Sequence, residues 1–103
     1  MTYAFIQDVP IGRDMYAKIR TGLGETIPPG LIAHLAIEKP DGLLRYVDIW
    51  EDEAAWDAFV EHRLHPTIKG IFAAMGFNPG GEPPREDVVV IDAWIPSVVA
   101  RAS

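Results

Sequence analysis

The stretch "LIAHLAIEKPDGLLRYVDIW", Leu31 to Trp50, reads as two strands around a tight turn. Pro40-Asp41 suits the centre of a type I turn, and Gly42 suits the left-handed position after it. Together they predict a three-residue hairpin loop with a bulge. If Lys39 faces Leu43, then His34 lies opposite Asp48, Ala36 opposite Tyr46 and Ile32 opposite Trp50. Side chains alternate across a strand. The other face therefore carries Leu31, Ala33, Leu35, Ile37, Leu43, Val47 and Ile49, with Arg45 near the turn. One face is almost uniformly aliphatic, and the other is aromatic and polar.

Outward from this hairpin the periodicity changes. Upstream, "TYAFIQDV" (Thr2 to Val9) is rich in aromatic and β-branched residues and reads as a first strand. Met15, Ile19 and Leu23 then recur at helical spacing with Tyr16 beside them. They predict an amphipathic helix opened near Pro10 and closed by Gly22 or Gly24. "ETIPPG" is a loop. Downstream, Glu51-Asp52-Glu53 suits the positive end of a helix, with Asp52 as its N-cap. Trp56, Phe59, Val60 and Leu64 follow helical spacing. Pro66 predicts a break or kink near His65. "PTIKGIFAAMG" restarts the helix with Ile68, Ile71, Phe72 and Met75 on one side and Gly76 as its stop. "FNPGGEPPRE" is a loop, "DVVVIDAWI" (Asp87 to Ile95) is the last strand, and "SVVARAS" is a short tail.

Strand, helix, strand, strand, helix, strand is an α+β order. It predicts a ferredoxin-like βαββαβ antiparallel sheet with two helices on one face, in one domain over residues 1–103. The opposite face of the sheet needs cover. A second copy of the same sheet supplies it, so a homodimer is expected.

The totals fit this picture. The chain has 103 residues, 49% hydrophobic and 23% charged. A domain of this length buries roughly two thirds of its unfolded surface. Net charge is −6, from 9 Lys+Arg against 15 Asp+Glu, which gives no reason to hold a nucleic acid. There are no cysteines, which excludes disulfides and thiolate chemistry. "MTYAFIQDVP" has neither a basic n-region nor a long apolar run, and no stretch approaches the roughly 20 apolar residues of a membrane helix. A cytoplasmic location without a membrane partner is expected.

His34 and Asp48 form the sharpest chemical candidate. A carboxylate opposite an imidazole fixes its tautomer and suits it as a general base. Tyr46 and Trp50 share that face as pocket wall. The alternative is a cross-strand polar pair that only stabilises the hairpin, worth about 0.2–1 kcal/mol. Asp92 and Trp94 on the last strand are candidates for the same pocket, with an exposed strand-end charge as the plainer reading of Asp92. Tyr16 is placed on the first-helix side of the pocket, and packing is its plainer reading. His62 and His65 are three apart and share a helix face. A metal site needs a third ligand, so no metal is expected. His65 is left as a residue at the pocket mouth or an exposed helix end. Gly22-Leu23-Gly24 follows a helix and lacks a lysine, so it is no phosphate loop. Ser97 and Ser103 lie in the tail, and no GxSxG elbow is present.

The element order resembles the dimeric α/β-barrel superfamily, and within it the antibiotic biosynthesis monooxygenase-like (ABM-like) proteins. The most specific part is "YVDIWEDEAAWDAFVEHRLHPTI". There Trp50 ends a strand, Glu51-Asp52-Glu53 start a helix, Ala54-Ala55-Trp56 and Phe59 follow, and Arg63-Leu64-His65 runs into Pro66. The resemblance implies a dimer closing a β-barrel and a pocket between helices and sheet. It further implies cofactor-independent oxygenation of an aromatic polyketide or quinol-like molecule. Related barrels include isomerases, cyclases, decarboxylases and non-catalytic proteins, so a dimer that binds a small hydrophobic ligand is the alternative. The asparagine-tryptophan-histidine set of haem degraders has no counterpart. Asn78 lies in a loop, and Phe59 stands where a helical His is often found. No cofactor is expected, haem included.

Overall fold

The computed structural model describes residues 2–76 and 82–96. The elements are β1 (Tyr3–Val9), α1 (Arg13–Leu23), β2 (Leu31–Glu38), β3 (Leu44–Trp50), α2 (Glu53–Phe59), α3 (His65–Ala74) and β4 (Arg85–Val88). The strands form one antiparallel sheet in the order β2-β3-β1-β4. Two strand–helix units split by a hairpin make this order compatible with the expected ferredoxin-like fold.

The β2–β3 hairpin forms around the expected turn. The Lys39 amide donates to the Leu43 carbonyl at 2.9 Å, and the Gly42 amide donates to the Lys39 carbonyl at 2.9 Å. Gly42 takes φ 84°, the left-handed conformation that a Cβ would penalise. Asp41 accepts from the Leu43 amide at 2.9 Å, which closes the turn from the side. His34 faces Asp48, and Ala36 faces Tyr46.

One part of the register differs. A bulge between Leu31 and Ala33 sets Leu31, not Ile32, opposite Trp50. A bulge adds one residue and reverses the facing of everything beyond it. Leu31 thereby leaves the aliphatic face and packs against the core of Phe5, Trp50 and Trp56. Tyr3, Ala55, Phe59, Val60 and Leu64 close around the same cluster. This core lies between the sheet and the α2–α3 arm, so the aromatic and polar face is the one under the helices. The face turned away carries Ile6, Ala33, Leu35, Ile37, Val47 and Ile49 by strand alternation. Leu35 is 55% exposed there.

Asp52 caps α2 as expected, its carboxylate accepting from the Ala55 amide at 2.8 Å. Gly24, not Gly22, closes α1 at φ 83°. Gly22 instead allows α1 to approach α3, since a Cβ there would lie 2.7 Å from Thr67 Cγ2. The expected break near His65 is absent. Residues Val60–Leu64 wind as a π-helical turn, with the His65 amide bonded to the Val60 carbonyl, and α3 continues directly. Pro66 falls in the first turn of α3, where a missing N–H removes little.

The last strand is shorter than expected. It covers Arg85–Val88 rather than Asp87 to Ile95. Val88 faces Ala4, and β1 begins one residue earlier at Tyr3, so residues from Val90 onward find no β1 partner. Val89, Ile91 and Trp94 are more than four-fifths exposed. Asn78, Ser97 and Ser103 lie outside the described residues. Among the described residues no helix is long and apolar enough to cross a membrane.

Candidate functional site

Asp48 sits on β3 between His34 of β2 and Phe5 of β1. It is 4% exposed, and a carboxylate so buried needs donors for both oxygens. His34 Nδ1 lies 2.7 Å from Oδ1, and Trp50 Nε1 donates to Oδ2 at 3.1 Å. Trp50 lies two residues along the same strand, on the same face, which is why its indole reaches the carboxylate.

The second nitrogen of His34 is also engaged. Nε2 lies 2.8 Å from Tyr16 Oη, a residue on α1. With Asp48 accepting, the network assigns the proton of a neutral imidazole to Nδ1. Nε2 then carries the lone pair, and the Tyr16 hydroxyl donates to it. The result is a continuous chain, Tyr16 to His34 to Asp48, with Trp50 bracing its far end. A neutral donor, an imidazole and a buried carboxylate in series can pass one proton and stabilise the imidazolium that forms.

Three rings enclose the imidazole edge. Tyr16 stacks on His34 at 6.0 Å between centroids and 14° between planes. Tyr46 meets His34 edge-on at 5.2 Å and Tyr16 at 5.7 Å. Burial pushes the Tyr46 phenol well above its ordinary range, and the neighbouring Tyr16 and Asp48 push it further. Its hydroxyl makes no hydrogen bond among the described residues.

The structure thus brings His34, Asp48, Tyr16 and Tyr46 together. It does not bring in the other candidates. Trp50 is 1% exposed and packs on Trp56 and Phe59, so it braces Asp48 from the core rather than forming an open wall. Trp94 and Asp92 lie beyond β4, 89% exposed in the case of Trp94, and bond to each other at 3.1 Å. That region left the sheet when β1 ran out, which removes both residues from the His34 face. His65 and His62 are exposed on the arm, and no group of three metal-ligating side chains occurs among the described residues. An open recess of about 450 Å³ lies between α1 and α3, lined by Ala17, Lys18, Thr21, Ile71, Ala74 and Met75. It does not include His34.

Other polar contacts hold the frame and have no clear sequence signal. Arg85 donates to Tyr3 Oη at 2.6 Å and lies over the rings of Phe5 and Trp56 at 5.5 Å. Burial pushes the Tyr3 phenol up to about 12 against the opposing pull of Arg85. Buried Gln7 donates to the Pro83 carbonyl at 2.8 Å. Arg63 donates to the carbonyls of Leu23 at 3.0 Å and Thr26 at 2.9 Å, tying the π turn to the end of α1. These partners are 37 or more residues apart in sequence, so periodicity cannot announce them.

No family model matches this chain, and no curated protein or solved structure is significantly similar to it.

Proposed function

We propose that the protein is a small-molecule enzyme of the cofactor-independent oxygenase kind, acting on an aromatic polyketide or quinol-like carbon acid. The observation that carries this reading is the unbroken Tyr16–His34–Asp48 hydrogen-bond chain on the helix side of the sheet. The sequence resemblance to ABM-like proteins supports it. Such chemistry needs a base more than a cofactor, because the substrate supplies the electrons. Removal of a C–H proton gives a stabilised carbanion. The carbanion adds dioxygen to give a peroxide anion. Return of the proton gives the hydroperoxide, which loses water to leave a ketone. The balance is one CH₂ and one O₂ going to one C=O and one H₂O.

A two-fold dimer belongs to the same proposal. Its support is the aliphatic face turned away from the helices, with Leu35 and Ile37 exposed, together with the exposed Val89, Ile91 and Trp94. A second copy of the sheet laid on that face buries both groups.

The test is dioxygen uptake with anthrone, an aromatic ketone whose CH₂ is a carbon acid. Oxidation to the quinone with uptake of one O₂ per substrate is expected, and His34→Ala should abolish it while leaving the oligomeric state unchanged. Unchanged turnover in that variant removes His34 from the mechanism. A second reading is a non-catalytic binder of a hydrophobic molecule. Both nitrogens of His34 are already engaged within the protein, which favours it. It predicts anthrone binding that persists in His34→Ala and no uptake in either protein.

A further inference from the structure

We infer that Tyr16, rather than His34, is the group that exchanges a proton with the substrate, with His34 and Asp48 acting through it. This inference rests on the proton-transfer reading above and concerns which atom meets the substrate. An imidazole has one lone pair with which to accept a proton. On His34 that lone pair lies at Nε2, 2.8 Å from Tyr16 Oη, while Nδ1 is held by Asp48 at 2.7 Å. The His34 side chain is 27% exposed, yet both of its nitrogens are engaged. A substrate approaching from the ring's open side meets no free base there.

The Tyr16 hydroxyl oxygen differs. Its proton is directed at Nε2, and an oxygen that donates keeps lone pairs with which to accept. It comes from α1, a different element from the strands that hold His34 and Asp48, so it forms the helix-side end of the chain. The transfer is balanced. The substrate C–H proton passes to Tyr16 Oη as the Tyr16 O–H proton passes to His34 Nε2. The products are a carbanion and an imidazolium facing the Asp48 carboxylate. The reverse shift returns one proton to the peroxide anion. Tyr16 is then the catalytic residue, and His34 and Asp48 are positioning residues. The stacked ring contact at 14° holds the phenol and imidazole in nearly parallel planes, so the hydrogen bond persists through both directions of transfer.

The experiment is deuterium exchange at the anthrone CH₂ under nitrogen, which isolates proton transfer from the reaction with oxygen. Wild-type protein should catalyse exchange, and Tyr16→Phe should lose about 100-fold or more, the usual share of a positioned acid or base. His34→Ala should lose a similar factor, and the double variant no more than either, because one chain is broken once. If Tyr16→Phe exchanges at the wild-type rate or faster, freeing Nε2 has exposed the true base. That result overturns the role of Tyr16 and leaves the proposed function standing. If wild-type protein does not exchange anthrone at all, both are overturned. Tyrosine fluorinated on the ring, placed at position 16, separates chemistry from folding. Its more acidic phenol should move the pH–rate profile to lower pH, which a structural hydroxyl would leave in place.

Discussion

The indole nitrogen of Trp50 and the carboxylate of Asp48 are two positions apart on one strand and 3.1 Å apart in space. The most deeply buried tryptophan therefore spends its only polar atom on a buried acid, and the acid spends its other oxygen on His34. An aromatic core residue and a candidate catalytic group are one unit. Packing of Trp50 against Trp56 and Phe59 fixes the carboxylate, and the carboxylate fixes the imidazole.

Trp50→Phe keeps most of the ring but removes the donor to Oδ2. A buried acceptor left unsatisfied costs about 1–3 kcal/mol, to which lost packing adds. Urea denaturation should give a loss in that range or above. A change near zero would mean that Oδ2 does not depend on the indole.

Tyr46→Phe should behave differently, although Tyr46 lies beside His34. Its hydroxyl has no hydrogen-bond partner among the described residues, so its removal leaves nothing orphaned. Stability should stay within about 0.5 kcal/mol of wild type or rise. A loss of 2 kcal/mol, roughly the cost of an unsatisfied buried group, would reveal a partner for that oxygen.

Alkaline pH should weaken the fold through its phenols. Burial raises Tyr3 from 10.0 to about 12 and raises Tyr46 as well. A raised folded value means that the native state holds its proton more tightly than the unfolded chain. The stabilisation is fully present below pH 10 and is lost as pH rises from 10 towards 12 for Tyr3. Absorbance at the tyrosinate band should show at least two of the three tyrosines titrating above the ordinary range in the folded protein, with the denaturation midpoint falling over the same interval.

Gly30→Ala should be strongly destabilising for two reasons. Gly30 takes φ 87°, and an added Cβ would lie 2.5 Å from Ala55 Cβ. The left-handed conformation costs a non-glycine residue about 1–2 kcal/mol, and overpacking typically costs about 1–3 kcal/mol more. A calorimetric Tm lower by roughly 10 °C or more is expected for a domain of this size. Gly42→Ala has positive φ but open space around it, and it should cost less.

Leu35→Glu addresses the proposed dimer. Leu35 lies on the sheet face away from the helices and is 55% exposed, so a charge there leaves the protomer intact. Sedimentation at micromolar concentration should show wild-type dimer and variant monomer. A monomeric wild type removes the barrel from the proposal.

Some of this molecule was determined locally by the chain. "KPDGL" demands its turn because only Gly42 takes φ 84° without strain. Once the turn is set, alternation brings His34 opposite Asp48. Asp52 caps α2 because its short side chain reaches the Ala55 amide within one turn. Other features needed the whole fold. The bulge after Leu31 is set by packing against Phe5 and Trp56, which no strand pattern contains. The last strand ends at Val88 because β1 begins at Tyr3, although the apolar run continues to Ile95. Tyr16 was visible as a residue beside a helical stripe, but its bond to His34 joins a helix to an edge strand 18 residues away. Spacing along the chain reports which residues share one face of one element. Which faces meet is decided by the burial of Phe5, Trp50 and Trp56 together, and that burial gives His34 its second partner.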